Sequence, residues 1–234
     1  MKLSISFTQN ALHLSVPAAS ADAETQNETY TLKPGIAVAA NLRQALQECK
    51  LLQQPRDYER VVAVVDTPIM IIPAEEFDAA AVPQLYRYIN AGRDADDVLT
   101  TNVHALNAVV AFAVNKDLHF VLADTFRYVQ IVPYMADVLV ALREQSAGGF
   151  QEKLICFFAD KQLHIATFRK GRLRFYSAFS PTTATDSAYY ILNTWQQLAM
   201  RPTDIICLCG DAATHAELTE QLQKFVKNVQ CTEL

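Results

Sequence analysis

Two stretches of the chain, "KLSISFTQNALHLS" (Lys2–Ser15) and "KLICFFADKQLHIA" (Lys153–Ala166), align without a gap. Lys2, Leu3, Phe7, Leu12 and His13 fall on Lys153, Leu154, Phe158, Leu163 and His164. Each copy runs as an apolar segment, a short polar turn and a second apolar segment, the pattern of a strand, a tight turn and a returning strand. A repeat of this kind limits the fold more than composition does, because both copies must be built from one structural unit.

The residues after each copy extend the match. Behind the second copy, Gly171 turns the chain into a third strand, "RLRFYSAF". Ala188, Ile191, Leu192, Trp195 and Leu198 then recur at helical spacing between Ala184 and Met200. Thr183 and Asp186 form a capping-box signature at the start of that helix. Pro202, a strand at Ile205–Cys209, a helix near Ala213–Val226 and a last short strand in "NVQCTEL" complete the second half. The first half runs in the same order: a strand near Glu28–Leu32, a helix over Ala39–Gln53, Pro55, then a strand at Val61–Val65 followed by Asp66. It then departs. "TPIMIIPAEEF" adds a strand and a helix, with further strands near Asp97–Thr101 and Asn107–Val114 and helices near Lys116–Ala123 and Pro133–Gln145. Ala18–Glu28 reads as a polar loop, and "QSAGGFQE" (Gln145–Glu152) as the hinge between halves spanning 1–147 and 148–234.

The expected architecture is therefore α/β. The three opening strands of each half pair antiparallel, later strands join through helices, and each mixed sheet is covered on both faces. Three strands, helix, strand, helix, strand, taken twice, resembles a duplicated ribonuclease-H-like fold, the plan of actin, sugar kinases and chaperone ATPases.

Composition narrows the function classes. The formal charge is −5 with no basic block, which argues against a nucleic-acid or anionic-membrane surface. No apolar run approaches the ~20 residues of a membrane helix. Ser4, Ser6, Gln9, Asn10 and His13 interrupt the opening segment, so it reads as a hairpin rather than an export signal. The five cysteines are odd in number and lie in apolar segments, as expected of reduced thiols in a cytoplasmic protein. Only six glycines occur in the 234 residues, where average usage gives roughly sixteen.

"DIICLCGDAATHAEL" (Asp204–Leu218) carries the densest chemistry. Cys207 and Cys209 share one strand face about 6.6 Å apart, too far for a disulfide, and no second Cys/His pair completes a zinc site. They read as buried, inert thiols. Gly210-Asp211 ends the strand, and the plain reading is a turn in which Asp211 or Thr214 caps the next helix. In actin-like ATPases a double-glycine turn here meets the adenosine, and an Asp-x-Gly in each first hairpin handles metal and phosphate. The first hairpin, "SFTQNA", has neither residue type, and the second, "FFADKQL", keeps Asp160 without a glycine. A turn aspartate is ordinary in a hairpin. Asp160, Gly210 and Asp211 are thus the candidate nucleotide-contacting residues, at the cleft between halves. No cofactor and no metal ligand set is expected. A metal-dependent nuclease would need carboxylates converging on two metals, and only Asp160 and Asp211 could approach one another. The matched His13 and His164 read as structural, and Tyr189, Tyr190 and Trp195 as helix packing or a contact surface. Ser177, Ser180 and Ser187 lack the nucleophile-elbow pattern.

The run "LRFYSAFSPTTATDSAYYILNTWQQLAMRPTDIICLCGD" resembles the C-terminal signature of an uncharacterised bacterial family with an actin-like ATPase fold. "ANLRQAL", "VVAVVDTPIMIIPAEEF" and "AVVAFAV" resemble its N-terminal half. More distantly, the arrangement is similar to the cytoplasmic actin-like proteins of pilus and type II secretion assemblies, which dock partners and in some cases bind nucleotide. The resemblance implies a fold, and fold analogy does not transfer an activity. The expectation is a non-catalytic interaction or scaffold protein with an unidentified protein partner, which could include a second copy. The alternatives are a regulatory nucleotide or small-ligand binder, and, behind it, the nuclease.

Overall fold

The structure is a computed structural model, and it describes residues 2–18, 24–53, 58–92, 96–148, 150–211 and 215–233. The chain divides into two compact units, Met1–Asp137 and Val138–Leu234. Pro55, Gly149, Ala213 and Thr214, named above for a helix end, a hinge, a helix start and a helix cap, lie outside the described residues.

The first unit holds a five-stranded sheet made of β1 (Lys2–Phe7), β2 (Ala11–Val16), β3 (Gln26–Thr31), β4 (Arg60–Val65) and β8 (Val129–Pro133). Their order is β3-β2-β1-β4-β8, with the first three antiparallel and the β1, β4 and β8 neighbours parallel. Leu3, Ile5 and Phe7, Leu12, Leu14 and Val16, and Val61, Ala63 and Val65 form one buried face. They pack with α1 (Val38–Glu48) and α3 (Lys116–Thr125). Serine alternates with leucine and isoleucine along β1, so the opposite face is only half-buried at Ser4, Ser6, Val62 and Val64, and His13 is exposed. This second face is less completely buried than the first, in keeping with the serines that alternate along β1.

Between β4 and α3 lies an insertion. It comprises β5 (Ile69–Pro73), α2 (Val82–Ile89), β6 (Asp96–Val103) and β7 (Ala108–Asn115), with sheet order β5-β7-β6 and antiparallel pairing throughout. Every residue of the central strand β7 but Asn115 is buried. Ala111 and Ala113 meet Val82 and Tyr86 of α2, while Phe112 and Val114 join the main core of the unit. Asn115 then caps α3, its Oδ1 accepting from the Asp117 and Leu118 amides at 3.0 and 3.2 Å.

The second unit repeats the main sheet. β9 (Lys153–Ala159), β10 (Gln162–Arg169), β11 (Arg172–Phe179), β12 (Ile205–Gly210) and β13 (Val229–Cys231) run in the order β11-β10-β9-β12-β13. Here both faces are covered. Leu154, Cys156, Phe158, Ile206 and Leu208 pack under α5 (Ala184–Gln197) and α6 (His215–Gln223). Ile155, Phe157, Ile205, Cys207 and Cys209 are buried on the other side. The end of α4 (Tyr134–Ser146) reaches that side: Lys153 Nζ donates to the Gln145 carbonyl at 2.7 Å and Arg143 Nε to that of Gly171 at 2.8 Å. The capping box of α5 forms as expected, with Thr183 Oγ1 accepting from the Asp186 amide at 3.0 Å and Asp186 Oδ2 from that of Thr183 at 3.1 Å.

The two sheets match residue by residue. Phe7 pairs with Leu12 in the first hairpin and Phe158 with Leu163 in the second. Across the parallel neighbour, Lys2 to Phe7 pair with Arg60 to Val65 as Lys153 to Phe158 pair with Ile205 to Gly210. β8 is the counterpart of β13, a strand that "VQIVP" is too short to announce in sequence. Gln26 and Asn27, expected as loop, belong to β3.

Candidate functional site

Gly210 pairs with Phe158 at the C-terminal ends of β12 and β9, so the topology brings Asp160, Gly210 and Asp211 to one edge of the second sheet. Parallel strand ends are where α/β sheets present ligand sites. What holds each residue there is local chemistry.

Asp160 and Lys161 are the two central residues of the β9–β10 turn, flanked by the Ala159–Gln162 pair. Their φ angles are +47° and +64°, the left-handed pair of a type I′ hairpin. Aspartate tolerates that conformation better than most residues, which accounts for Asp160 without a ligand. Gly210 has φ +88°, and a Cβ there would stand 2.2 Å from the Phe158 carbonyl oxygen and 3.0 Å from the Phe157 ring. Only glycine fits, and the need comes from the neighbouring strand. The same carbonyl accepts from the Asp211 amide at 2.8 Å, fastening the chain as it leaves β12. Asp211 itself is exposed.

The matching edge of the first sheet is built from other residues. In the β1–β2 turn, Thr8 donates its hydroxyl to the Ala11 carbonyl at 3.0 Å and accepts from the Ala11 amide at 3.1 Å. Val65 stands at the position of Gly210, and Asp66 follows it as Asp211 follows Gly210. Aspartate after the second parallel strand is therefore common to both units, a correspondence that the register reveals.

The paired histidines have opposite surroundings. His13 is exposed, 3.2 Å from Thr29 Oγ1 through Nδ1. His164 is buried between Phe157 and Tyr176, its Nδ1 3.0 Å from the Tyr176 hydroxyl. Burial lowers its pKa to about 4, so the ring is neutral at pH 7. All five cysteines are free. Burial raises the Cys207 thiol, pushes Cys209 up to about 12 and drives Cys156 well above its ordinary value, which removes the reactive thiolate.

Two polar centres have no signal in the sequence beyond residue type. Asn41 is fully buried, with Oδ1 accepting from the Lys33 amide at 2.8 Å and Nδ2 donating to the Ile36 carbonyl at 3.1 Å. It ties down the turn before α1. Asp204, 1% exposed, accepts from the Arg201 amide at 2.7 Å, from Arg201 Nη2 at 2.9 Å and from the Glu152 amide at 3.1 Å. Burial pushes its carboxyl up, and the Arg201 and Glu152 hydrogen bonds outweigh that and hold it below the usual range. Both centres organise backbone. A cavity of about 280 Å³ lies over the first half of β9, lined by Gln145, Lys153, Ile155, Cys207 and Thr232, and excludes the strand-end trio. Among the described residues no three His, Cys, Asp or Glu side chains group as a metal site, and no helix is long and apolar enough to cross a membrane.

A family model described as a protein of unknown function, DUF3822, matches residues 1–229. The chain belongs to the DUF3822 family. This DUF3822 protein is similar to a crystal structure from Bacteroides thetaiotaomicron VPI-5482, a protein with actin-like ATPase fold and unknown function. The identity is 20% over 99% of this chain and 90% of that one, with a TM-score of 0.85. It is also similar to a chain of the PilM–PilN type IV pilus biogenesis complex, with 14% identity, 99% and 88% coverage, and a TM-score of 0.54. No curated protein matches. At these identities the likeness establishes the fold: an α/β protein related to the actin-like ATPases, with two similarly built five-stranded mixed sheets flanked by helices.

Proposed function

We propose that this DUF3822 protein is a non-catalytic interaction or scaffold protein acting in the cytoplasm. Its body is two ribonuclease-H-like lobes of duplicated origin whose phosphate-gripping positions hold ordinary turn residues. The shared strand order and register of the two sheets support the duplication. The observation that carries the functional reading is at the strand ends. Asp160 is accounted for by a two-residue turn, Gly210 by the Phe158 carbonyl against it, and the first hairpin closes through Thr8. Each has a structural reason that requires no nucleotide. A chain of similar fold in a type IV pilus biogenesis complex agrees with a role in assembly.

A regulatory nucleotide or small-ligand binder is the second reading, favoured by the placement of Asp160, Gly210 and Asp211 on one sheet edge. Affinity purification of the tagged chain from its native cells, with and without Mg-ATP in the washes, tests the first. The expected result is one reproducible protein partner retained under both conditions. Recovery of none, or release of the partner by ATP, contradicts it.

A further inference from the structure

The insertion of the first unit exposes an apolar stripe that the fold does not use. In α2, Val82 and Tyr86 face the three-stranded sheet and are buried. Leu85, Tyr88 and Ile89 lie on another side at i, i+3 and i+4, with exposures of 50%, 88% and 63%. A solvated helix of eight residues carries polar groups at those positions; here three large apolar side chains line up instead. Charge in the sequence that flanks the stripe is one-sided. Residues 74–97 hold the acids Glu75, Glu76, Asp78, Asp94, Asp96 and Asp97 against Arg87 and Arg93, and so supply four of the chain's five net negative charges. Glu75, Glu76 and Asp78 are exposed just before the helix, while Arg87, the one cation within α2, is half-buried.

We infer that the outer face of α2 docks a basic amphipathic helical segment of another protein, with Leu85, Tyr88 and Ile89 meeting its apolar side and an acidic rim formed by Glu75, Glu76 and Asp78, just before the helix, meeting its lysines and arginines. A second copy of this chain is the wrong occupant. A two-fold contact sets the same patch against itself, and the two acidic rims would then repel. Tyrosine at the most exposed position supplies the kind of side chain that dominates such contacts. This inference rests on the interaction reading above and names the surface and the partner's chemistry.

A photoreactive phenylalanine in place of Tyr88, and separately in place of Tyr189, which is 64% exposed in the second unit, tests it in the native host. The expected product at Tyr88 is a cross-link to another protein, at a segment with apolar residues at helical spacing and an excess of Lys and Arg. A synthetic peptide of that segment then binds the purified full chain. Leu85→Ser with Tyr88→Ser weakens it on the order of tenfold or more. Glu75→Lys with Glu76→Lys also weakens it and flattens its salt dependence. Because these side chains are exposed, the variants keep the fold. Capture of this chain itself, an acidic or non-amphipathic segment, or variants that bind the peptide as tightly as the parent would overturn the inference. Cross-links at Tyr189 with none at Tyr88 overturn it while leaving the interaction reading intact; none at either position counts against both.

Discussion

Gly210 shows how a residue that looks like part of a binding turn can be set by packing. With φ at +88° and the Phe158 carbonyl 2.2 Å from the point a Cβ would occupy, Gly210→Ala combines left-handed strain with a backbone clash. It is expected to lower unfolding stability by about 2–4 kcal/mol in urea denaturation; an unchanged midpoint would mean that the strand end yields more easily than this contact implies. Thr167 offers the opposite case. Its hydroxyl is fully buried with no hydrogen-bond partner among the described residues, so Thr167→Val, which keeps the shape, should raise stability by about 1 kcal/mol. His164 sets a pH dependence. Its folded pKa of about 4 lies below the ordinary 6.5, so protons bind the unfolded chain more readily. The stability it contributes is present above pH 6.5 and lost as pH falls toward 4, a difference of about 3 kcal/mol. His164→Gln should flatten the slope of stability against pH in that window whatever its effect at pH 7, and an unaltered slope would contradict the burial argument.

At the scale of elements, helix ends and hairpins are legible in the sequence and strand neighbours are not. The Thr183–Asp186 box marks the start of α5 by spacing alone, because capping is a local interaction. Thr183→Ala should cost about 1 kcal/mol by thermal unfolding, the ordinary loss for a removed cap. The Asp160-Lys161 and Lys170-Gly171 turns follow from polar pairs between apolar runs, and both adopt positive φ at each residue. β8 is hidden because five residues ending in proline fit strand, helix lead-in or loop equally well in sequence. It becomes a strand because β4 offers it a free edge. The half-buried face of the first sheet is written in Ser4 and Ser6, and the two fully buried faces of the second in the apolar run of β9. The site candidates are legible as residue types only. That Gly210 answers to Phe158, and that Asp66 and Asp211 correspond, depends on register between distant segments, which no local pattern encodes.

For the whole molecule, the chain repeats one sheet plan twice and places an insertion in the first unit alone. That insertion holds most of the net charge and the exposed stripe of α2, so the docking surface inferred above lies in the part of the chain absent from the repeat. At the strand ends, where the actin-like resemblance leads one to expect phosphate-binding turns, Asp160 and Gly210 have structural reasons of their own. The most direct test of that claim is the thermal unfolding of the full chain with and without millimolar Mg-ATP. A site of micromolar affinity adds about 4 kcal/mol at a thousandfold excess of ligand over Kd, enough to raise the Tm by several degrees. No shift is the expected result, and a rise of that size that depends on magnesium would contradict it.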